Sequence, residues 1–184
     1  MGSSSILVVG GCRSGKSRHA LHLAASSGVK RVFVATCMAR DNEMKARIQR
    51  HRAERDASWE TVEEGEDLVG VLDRWDGTDR VVLIDCLTLW TSNLLAAGLD
   101  DAGIEDRADR LAARLENIRG RVILVANETG AGIVPENPLA RRFRDLAGQV
   151  NQKIAAACQQ VVWMVAGIPV TIKPGTVYPF LDKR

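Results

Sequence analysis

Residues 10–17, GGCRSGKS, carry glycines, a lysine and a serine at a spacing that suits phosphate binding. Gly10, Gly15, Lys16 and Ser17 fit the pattern G-x-x-x-x-G-K-[ST], in which glycines let backbone N–H groups turn inward toward phosphate oxygens. The lysine of such a motif reaches the β- and γ-phosphates, and the serine hydroxyl is a Mg²⁺ ligand. The motif predicts a nucleoside triphosphate site formed by Gly10, Gly11, Cys12, Arg13, Ser14, Gly15, Lys16 and Ser17.

A carboxylate on the metal side is predicted at Asp85, which ends the apolar stretch VVLID at 81–85. An aspartate at the end of such a strand is typical of the acid that holds magnesium together with the loop serine, here Ser17. The other interpretation makes Asp85 the N-cap of the following helix, a position that aspartate favours. The metal role is the favoured one, and one residue can serve both purposes.

His51 is the histidine whose surroundings suggest chemistry, because it lies in RIQRHRAER among arginines at 47, 50, 52 and 55. Positive neighbours lower the pKa of a histidine and favour the neutral imidazole, which is a nucleophile. Such a histidine can accept a phosphoryl or nucleotidyl group covalently. The residues alone favour the alternative, an exposed basic helix with an incidental histidine. His19 and His22, in the helix after the loop, are predicted to face solvent or the edge of the core.

Short β-branched stretches alternate along the chain with stretches of helical period, which predicts a mostly parallel sheet covered by helices on both faces. The predicted strands are 5–9, 31–36, 80–85, 121–127, 161–167 and 169–173. The predicted helices are 15–26, 41–55, 65–75, 87–98, 104–120 and 137–160. In the fifth helix, Ile104, Ala108, Leu111, Leu115 and Ile118 form the apolar side and Gly120 closes it. In the sixth, the apolar side is Leu139, Phe143, Leu146, Val150 and Ile154. The expected fold class is α/β, with residues 1–184 forming a single nucleotide-binding domain.

Composition narrows the function further. The chain has 184 residues and a net charge of +2, and its aromatic content is 4%, so neither charge nor aromatic patterning favours nucleic-acid binding. NETG at 127–130 is not the N-K-x-D guanine motif of regulatory GTPases. The remaining classes are a small-molecule kinase and a non-catalytic nucleotide-binding assembly protein of the RecA-like kind.

The four cysteines, at positions 12, 37, 86 and 158, form no C-x-x-C pair. Their spacing fits neither a zinc site nor a disulfide framework, which favours reduced and mostly buried thiols. No apolar stretch reaches the roughly 20 residues needed to span a bilayer. A cytoplasmic protein without a membrane anchor is therefore expected.

Four stretches carry a resemblance to a known family: GGCRSGKSRHA, ARIQRHRAERDASWETVEE, VLIDCLTLWTSNLL, and the long stretch that opens NETGAGIVPENP and continues FRDLAGQVNQ. Together they resemble the bifunctional adenosylcobinamide kinase / adenosylcobinamide-phosphate guanylyltransferase family of cobalamin biosynthesis. The resemblance runs from residue 5 to about residue 173. It implies a P-loop, RecA-like fold, Mg²⁺ as cofactor, ATP or GTP as the phosphoryl donor, and a homotrimer without nucleic-acid partners.

The resemblance also implies two reactions in sequence. Adenosylcobinamide is phosphorylated, with Lys16 acting on the transferred phosphoryl group, and GMP then passes from GTP to adenosylcobinamide phosphate with release of pyrophosphate. The implied intermediate is GMP bound to His51. The resemblance further implies that the following residues contact the nucleotide: Val34, Ala35, Thr36, Arg52, Ala53, Glu54, Arg55, Glu63 and Asp85.

The stretch NETGAGIVPENPLARRFRD, residues 127–145, allows two interpretations. It suits a lid or a loop on the corrinoid side of the site. It also suits a tight connection from strand to helix, with Asn137 as the cap and Pro138 at the first helical position. Arginines at 141, 142 and 144 cannot all face the core, and a phosphate and a neighbouring subunit are both candidates for their partner.

Overall fold

The apolar stretches and the stretches of helical period fold as strands and helices that alternate along the chain. The computed structural model describes residues 4–27, 29–38 and 58–173. The strands are β1 (Ser4–Gly10), β2 (Lys30–Ala35), β3 (Trp59–Glu63), β4 (Arg80–Asp85), β5 (Arg121–Asn127), β6 (Gln160–Val165) and β7 (Ile168–Lys173). The helices are α1 (Lys16–Ala25), α2 (Leu68–Trp75), α3 (Leu87–Ala96), α4 (Asp101–Glu116) and α5 (Pro138–Ala157). The helix predicted at 41–55 lies outside the described residues.

The strands form one sheet in the order β3-β2-β4-β5-β1-β6-β7. Neighbouring strands pair in parallel, except β6 and β7, which form an antiparallel hairpin. The predicted mostly parallel sheet is confirmed. In this order β5 lies between β1, which leads into the phosphate loop, and β4, which ends in Asp85. The carboxyl ends of all three strands therefore meet at one edge of the sheet.

Strand β3 is absent from the sequence prediction. Its residues, WETVE, include no fully buried position, as expected for a strand at the edge of a sheet. It pairs with β2 from Arg31 opposite Trp59 to Ala35 opposite Glu63. Because an edge strand buries little apolar surface, its own residues carry only a weak signal, and the partner strand determines where it forms.

Helices cover both faces of the sheet, as predicted. The larger apolar cluster packs α2, α3, α4 and α5 on one face, with Leu72, Trp90 and Leu111 among its members. The smaller cluster packs α1 on the other face through Ala20 and Ala24, both without exposed surface. Small residues let α1 lie close to the sheet, and this packing fixes the helix that follows the phosphate loop.

Helix α4 follows the predicted apolar pattern but ends earlier than expected. Its buried positions include Ile104, Leu111 and Leu115, as the spacing predicts. The helix ends at Glu116, with Asn117 as the C-cap, so the prediction that it extends to Gly120 is wrong. Gly120 instead directly precedes β5, where an added Cβ would clash with the Gly77 carbonyl oxygen.

Helix α5 begins as predicted. The Asn137 side chain accepts hydrogen bonds from the N–H groups of Leu139 and Ala140, and Pro138 is the first helical residue. Leu139 is 58% exposed, so its predicted place on the apolar side is wrong. The buried side of the helix begins only at Leu146, because the first turns of α5 continue from an exposed loop rather than from the core.

One buried carboxylate stabilises the amino edge of the sheet, which is the end at which its parallel strands begin. Asp76 is 5% exposed and accepts hydrogen bonds from the N–H groups of Arg119 (2.9 Å) and Gly120 (2.8 Å) and from Arg114 Nη2 (3.0 Å). Burial alone raises the pKa of Asp76, but these hydrogen bonds and the Arg114 charge outweigh it and hold the pKa below its ordinary value. Asp76 thereby links the end of α2 to the turn that leads into β5.

Within the described residues, no helix is long and apolar enough to cross a membrane. The cysteines of this part form no disulfide. Cys86 and Cys158 are buried, Cys37 is half-buried and Cys12 is exposed in the phosphate loop, so only half of the cysteines fit the prediction of buried thiols. Burial, followed by the charge of Asp85, raises the pKa of the Cys86 thiol to about 12.

Candidate active site

The phosphate loop leaves β1 at Gly10 and enters α1 at Lys16. A Cβ built on Gly10 would lie 2.5 Å from the Met164 carbonyl oxygen, so only glycine fits where β1 meets β6. Gly15, the N-cap of α1, has a φ of 92°, and Arg13 has a φ of 54°. These two left-handed residues curl the backbone between the strand and the helix. Such a curl turns successive N–H groups inward, toward a bound anion.

The turn between β6 and β7 supports this loop from one side. The Gly167 N–H donates a 3.0 Å hydrogen bond to the Ser14 carbonyl oxygen. Within the loop, the Ser14 N–H donates to the Gly11 carbonyl oxygen, and α1 begins with the bond from the His19 N–H to the Gly15 carbonyl oxygen. The first turn of α1 contains no acidic residue, so the positive potential of the helix N-terminus faces the loop undiminished.

Lys16 lies against the loop rather than in solvent. The residue is only 8% exposed, and its Nζ donates a 2.7 Å hydrogen bond to the Gly11 carbonyl oxygen. An ammonium group placed there lies next to any phosphate that the loop holds. Ser17 follows in the first helical turn, half-buried, where its hydroxyl oxygen is a candidate metal ligand.

The Ser14 hydroxyl indicates that the loop is shaped for a ligand. Its Oγ is buried and makes no hydrogen bond with the rest of the described chain. Buried polar atoms are nearly always hydrogen-bonded, since an unpaired one costs roughly 1–3 kcal/mol. A phosphate oxygen in the loop would supply the missing partner.

Asp85 ends β4 at the same edge of the sheet, half-buried. The N-cap of α3 is Cys86, so the interpretation of Asp85 as the helix cap is wrong. The metal-side role of Asp85 stays a prediction. The oxygen donors of Ser17 and Asp85 are the hard ligands that Mg²⁺ prefers, and proteins usually bind this ion with one or two carboxylates together with substrate phosphates. In the described residues, no cluster of three or more acids, histidines or cysteines offers a metal an all-protein cage. The donor set fits a magnesium ion bound jointly with a nucleotide.

Strands β2 and β3 bring two further predicted residues to this edge. Ala35 pairs with Asp85 on one side and with Glu63 on the other, so the three positions form a row across β3, β2 and β4. The side chains of Val34 and Thr36, in contrast, are fully buried. Val34 is fully buried in the apolar core.

The Thr36 hydroxyl is used within the fold. Thr36 Oγ1 donates to the Cys86 carbonyl oxygen (2.8 Å) and accepts from the Cys86 N–H (2.6 Å). Asn93 Nδ2 donates to the Thr36 carbonyl oxygen at 2.8 Å. Nucleotide contacts by Val34 and Thr36 therefore stay predictions.

His51 and the neighbouring predicted contacts Arg52, Ala53, Glu54 and Arg55 lie outside the described residues. They belong to the stretch of sequence between the carboxyl end of β2 and the amino end of β3. It leaves β2 at the edge of the sheet that carries Ala35 and Asp85. The predicted roles of these five residues stay predictions.

Asn127 is a site residue that the sequence analysis did not single out. It ends β5, directly between the phosphate loop at the end of β1 and Asp85 at the end of β4. Its backbone is fixed by the Thr88 hydroxyl, which accepts from its N–H at 2.7 Å, and by Asn151 Nδ2, which donates to its carbonyl oxygen at 3.0 Å. Within the described chain its side-chain amide makes no hydrogen bond. The signal that identifies it is its position: a polar residue ends an otherwise apolar strand beside the loop.

The loop 128–137 connects β5 to α5 at the same edge, and arginines brace it. The Glu128 N–H donates a 3.0 Å hydrogen bond to the Gly10 carbonyl oxygen, which joins the loop to the start of the phosphate loop. Arg144 Nη2 donates to the Gly130 carbonyl oxygen at 2.6 Å. Arg141 Nη1 donates to the carbonyl oxygens of residues 135 and 136. Both arginines therefore hold this loop in place.

Arg142 has a different structural role. Its Nε donates a 2.6 Å hydrogen bond to Asp101 Oδ1, and its Nη2 donates to the Leu99 carbonyl oxygen. These contacts fasten α5 to the start of α4. From the sequence, a phosphate and a neighbouring subunit were the candidate partners of the three arginines. In the structure, all three arginines bind groups of their own chain.

A glycine-rich loop between a parallel strand and a helix, with a lysine over the loop and an aspartate at the end of a nearby strand, defines an α/β nucleotide-binding protein of the P-loop class. The family model described as "Cobinamide kinase / cobinamide phosphate guanyltransferase" matches residues 6–172. The chain therefore belongs to the cobinamide kinase / cobinamide phosphate guanyltransferase family, whose two activities belong to cobalamin biosynthesis.

The chain matches two curated relatives over nearly the whole length of each relative. The chain is 46% identical over 167 residues to the bifunctional adenosylcobalamin biosynthesis protein CobP of Pseudomonas aeruginosa, covering 91% of this chain and 96% of the relative. It is 43% identical over 180 residues to the bifunctional adenosylcobalamin biosynthesis protein CobU of Salmonella typhimurium, covering 91% and 99%.

Among solved structures, the chain is similar to a prototypical ATPase from the type III secretion system of pathogenic bacteria. The TM-score is 0.52 at 11% identity, over 91% of this chain and 56% of that one. A likeness at that level of identity shows the fold alone. The predicted fold class, α/β with a mostly parallel sheet and a phosphate loop after β1, is confirmed.

Proposed function

We propose that this chain phosphorylates adenosylcobinamide with a nucleoside triphosphate and then transfers GMP from GTP to the resulting phosphate through GMP bound to His51. The observation that carries the proposal is the phosphate loop, with Lys16 buried against it and Asp85 at the same edge of the sheet. The relatives' description as bifunctional adenosylcobalamin biosynthesis proteins supports adenosylcobinamide as the acceptor.

In the kinase step the loop positions the triphosphate. Backbone N–H groups between Gly10 and Ser17 bind the phosphate oxygens, and the Lys16 ammonium stabilises negative charge on the phosphoryl group during transfer. The acceptor hydroxyl oxygen forms the new bond to the γ-phosphorus, the bond from the γ-phosphorus to the bridging oxygen breaks, and the nucleoside diphosphate leaves. The hydroxyl proton passes to water.

Magnesium is the cofactor that suits this step, and Ser17 and Asp85 would hold it. When bound, the ion neutralises phosphate charge and orients the triphosphate for in-line transfer. Either ATP or GTP fits the phosphate loop, because its contacts are with the phosphates that both share.

In the second step an imidazole nitrogen of His51 attacks the α-phosphorus of GTP and pyrophosphate leaves. A phosphate oxygen of adenosylcobinamide phosphate then attacks the same phosphorus, and the phosphorus–nitrogen bond breaks to restore the neutral imidazole. Dividing the transfer in two lets one enzyme present the nucleotide first to its own nucleophile and then to the acceptor. In this proposal the nucleotide is contacted by six residues, which are Ala35, Arg52, Ala53, Glu54, Arg55 and Glu63.

The loop 128–137 is the candidate surface for the corrinoid. Ile133 is 97% exposed, and Val134 and Leu139, at the end of the loop and the start of α5, are 61% and 58% exposed. Exposed apolar side chains on a braced loop are typical of a binding surface. The loop that carries them is joined to the phosphate loop at its start, through the Glu128–Gly10 hydrogen bond, and the apolar faces of a corrin ring would cover them.

A homotrimer is the assembly that the resemblance implies, and the hairpin β6–β7 offers it a surface. One face of this hairpin exposes five large apolar side chains, which are unusual on the free edge of a sheet. They are Trp163, Val165, Ile168, Val170 and Ile172. The free thiols of the described cysteines suit the reducing cytoplasm, where we place the protein.

Labelled GTP tests the intermediate directly. The protein is incubated with Mg²⁺ and GTP labelled at the α-phosphate, then denatured, and protein-bound label is measured. We expect label that is acid-labile and base-stable, as a phosphoramidate is, and no label in His51→Ala. Calorimetry with GTP shows whether the variant still binds nucleotide. No label on wild-type protein that binds GTP would contradict the intermediate and would leave a kinase with a single activity.

A further inference from the structure

A cavity of about 260 Å³ opens beside the phosphate loop, on the side of the sheet that α1 covers. It lies between the first turns of α1 and the β6–β7 hairpin. Its walls are Gly15, Arg18, His19, His22, Met164 and Gly167. Gly15 belongs both to the phosphate loop and to this wall, so the cavity is continuous with the loop.

The order of strands places this cavity opposite to the metal side of the loop. Asp85 ends β4, which is separated from β1 by β5. Met164 lies on β6, the neighbour of β1 on the other side, directly opposite Gly10. A triphosphate whose terminal phosphate points toward Asp85 therefore directs its nucleoside toward Met164 and the cavity.

The walls of the cavity are flat at the point where it meets the loop. A Cβ built on Gly15 would lie 3.5 Å from Gly167 Cα, 3.7 Å from Met164 Cε and 3.8 Å from Arg18 Nη2. Gly15 and Gly167 both have positive φ, where a residue with a side chain would be strained. As glycines, they leave this space open. The space is therefore a slot with two glycines as its floor.

Two groups that bind planar rings border the slot. The Arg18 guanidinium lies over the glycines, and within the described residues it forms no ion pair or hydrogen bond. Guanidinium groups stack on aromatic rings, and a thioether such as that of Met164 packs well against their edges. No acidic residue lines the cavity.

The two histidines supply hydrogen-bonding groups. Burial, and then the neighbouring His22, lower the pKa of His19, so its imidazole is neutral near pH 7 and offers one donor and one acceptor. His22 lies one helical turn further along α1, on the same side. Donors and acceptors at the rim of a flat slot match the edge of a heterocyclic base.

We infer that this cavity binds the nucleobase of the triphosphate held by the phosphate loop, with Arg18 stacking on the ring and His19 and His22 meeting its edge. The inference rests on the proposed function of the loop. It also separates two nucleotide-binding surfaces. Ala35 and Glu63 lie beyond Asp85, on the β2–β3 side, and would serve the guanosine that is transferred. The cavity serves the nucleoside of the phosphoryl donor.

Calorimetry with two ligands tests this inference. Mg²⁺ with a non-hydrolysable ATP or GTP analogue, whichever binds tighter, probes the loop and the cavity together. Mg²⁺ with tripolyphosphate probes the loop alone. The variants are Arg18→Lys, which keeps the charge and loses the stacking plane, and His22→Ala. Arg110→Lys, an exposed arginine on α4, is the matched control.

In wild-type protein we expect the nucleotide analogue to bind about tenfold more tightly than tripolyphosphate, since stacking of one base contributes that much or more. Each variant should raise the Kd of the analogue about fivefold and leave the Kd of tripolyphosphate within about twofold. Equal weakening of both ligands would mean that the residues act on phosphates and would overturn the inference, as would unchanged binding of both. Wild-type protein that binds neither ligand would overturn the proposed phosphate site, and the inference with it.

Discussion

The two edges of the sheet use polar groups in opposite ways. At the amino edge, the Asp76 carboxylate accepts hydrogen bonds from Arg114, Arg119 and Gly120, so its charge is compensated within the chain. At the carboxyl edge, the buried Ser14 hydroxyl has no partner in the described residues. The comparison shows where stability and function lie. We infer that the amino edge, where the Asp76 carboxylate is paired internally, holds the fold. The unpaired Ser14 hydroxyl favours phosphate binding at the carboxyl edge.

The two edges also differ in backbone conformation, which is strained at the carboxyl edge and ordinary at the amino edge. At the carboxyl edge, Arg13 and Gly15 adopt left-handed conformations in order to curve the phosphate loop. A non-glycine residue in that region costs roughly 1 kcal/mol or more. At the amino edge, Asp76 has an ordinary extended backbone conformation and accepts hydrogen bonds of 2.9 Å and 2.8 Å from the N–H groups of Arg119 and Gly120. Substitutions at the two edges should therefore have separable effects.

The largest expected effect is loss of catalysis in Lys16→Met. The variant removes the ammonium group beside the loop and keeps most of the side-chain volume, so kcat/KM of the kinase reaction should fall about 10³-fold. Stability should change little. Lys30→Met, which removes an exposed lysine at the amino edge, is the control and should keep full activity. A Lys16→Met enzyme within tenfold of wild type would contradict the role of the lysine.

Asp76→Asn should produce the opposite result. It leaves buried donors facing a neutral group, and the free energy of unfolding should fall by about 3 kcal/mol. Denaturant titration measures this change, and activity per folded molecule should stay near the wild-type value. Asp79→Asn, which breaks an exposed ion pair with Lys30, should cost less than about 1 kcal/mol. Equal losses in the two variants would show that the buried network is not what stabilises the amino edge.

A smaller effect is expected from Asn127→Ala. The hydrogen bonds that fix this residue are made by its backbone, so the fold should survive the change. Loss of the amide between the phosphate loop and Asp85 should lower kcat of the kinase reaction about tenfold. Asn117→Ala, at the end of α4 on the opposite edge, should leave kcat unchanged. If the two variants have equal kcat values, Asn127 has no part in the chemistry.

The smallest effect is a difference in pH dependence. The pKa of Asp76 is lower in the folded protein than in the unfolded chain, so its stabilisation is complete above the unfolded pKa of about 4 and is lost as pH falls through the folded value. The stability gap between wild type and Asp76→Asn should therefore narrow as the pH is lowered below about 5. Chemical denaturation from pH 7 to pH 3 measures the gap, and a gap that widens in acid would contradict the lowered pKa.

The features that the sequence predicted correctly are those that depend on neighbours along the chain. The phosphate loop, the apolar strands around Asp85 and the cap at Asn137 each have local signals, because glycine geometry, burial on both faces and helix capping act within a few residues. Strand β3 depends instead on its pairing with β2, which its own five residues do not reveal.

At the site, too, several features depend on contacts between elements and have no local sequence signal. Arg141, Arg142 and Arg144 lie within four residues of one another, yet two of them brace the loop and the third fastens two helices together. Asn127 and the cavity beside Arg18 are defined by the order of strands in the sheet. Spacing along the chain does not encode that order, so these features become visible only when the strands are placed.

The most direct test of the account follows the products of the two reactions in one mixture. Purified protein receives adenosylcobinamide, ATP, GTP and Mg²⁺, and corrinoid products are identified by mass spectrometry. We expect wild type to form the GDP-linked corrinoid, His51→Ala to stop at adenosylcobinamide phosphate, and Lys16→Met to leave the substrate unphosphorylated. A His51→Ala enzyme that still forms the GDP-linked product would contradict the histidine intermediate, and an unphosphorylated corrinoid with wild type would contradict the kinase assignment itself.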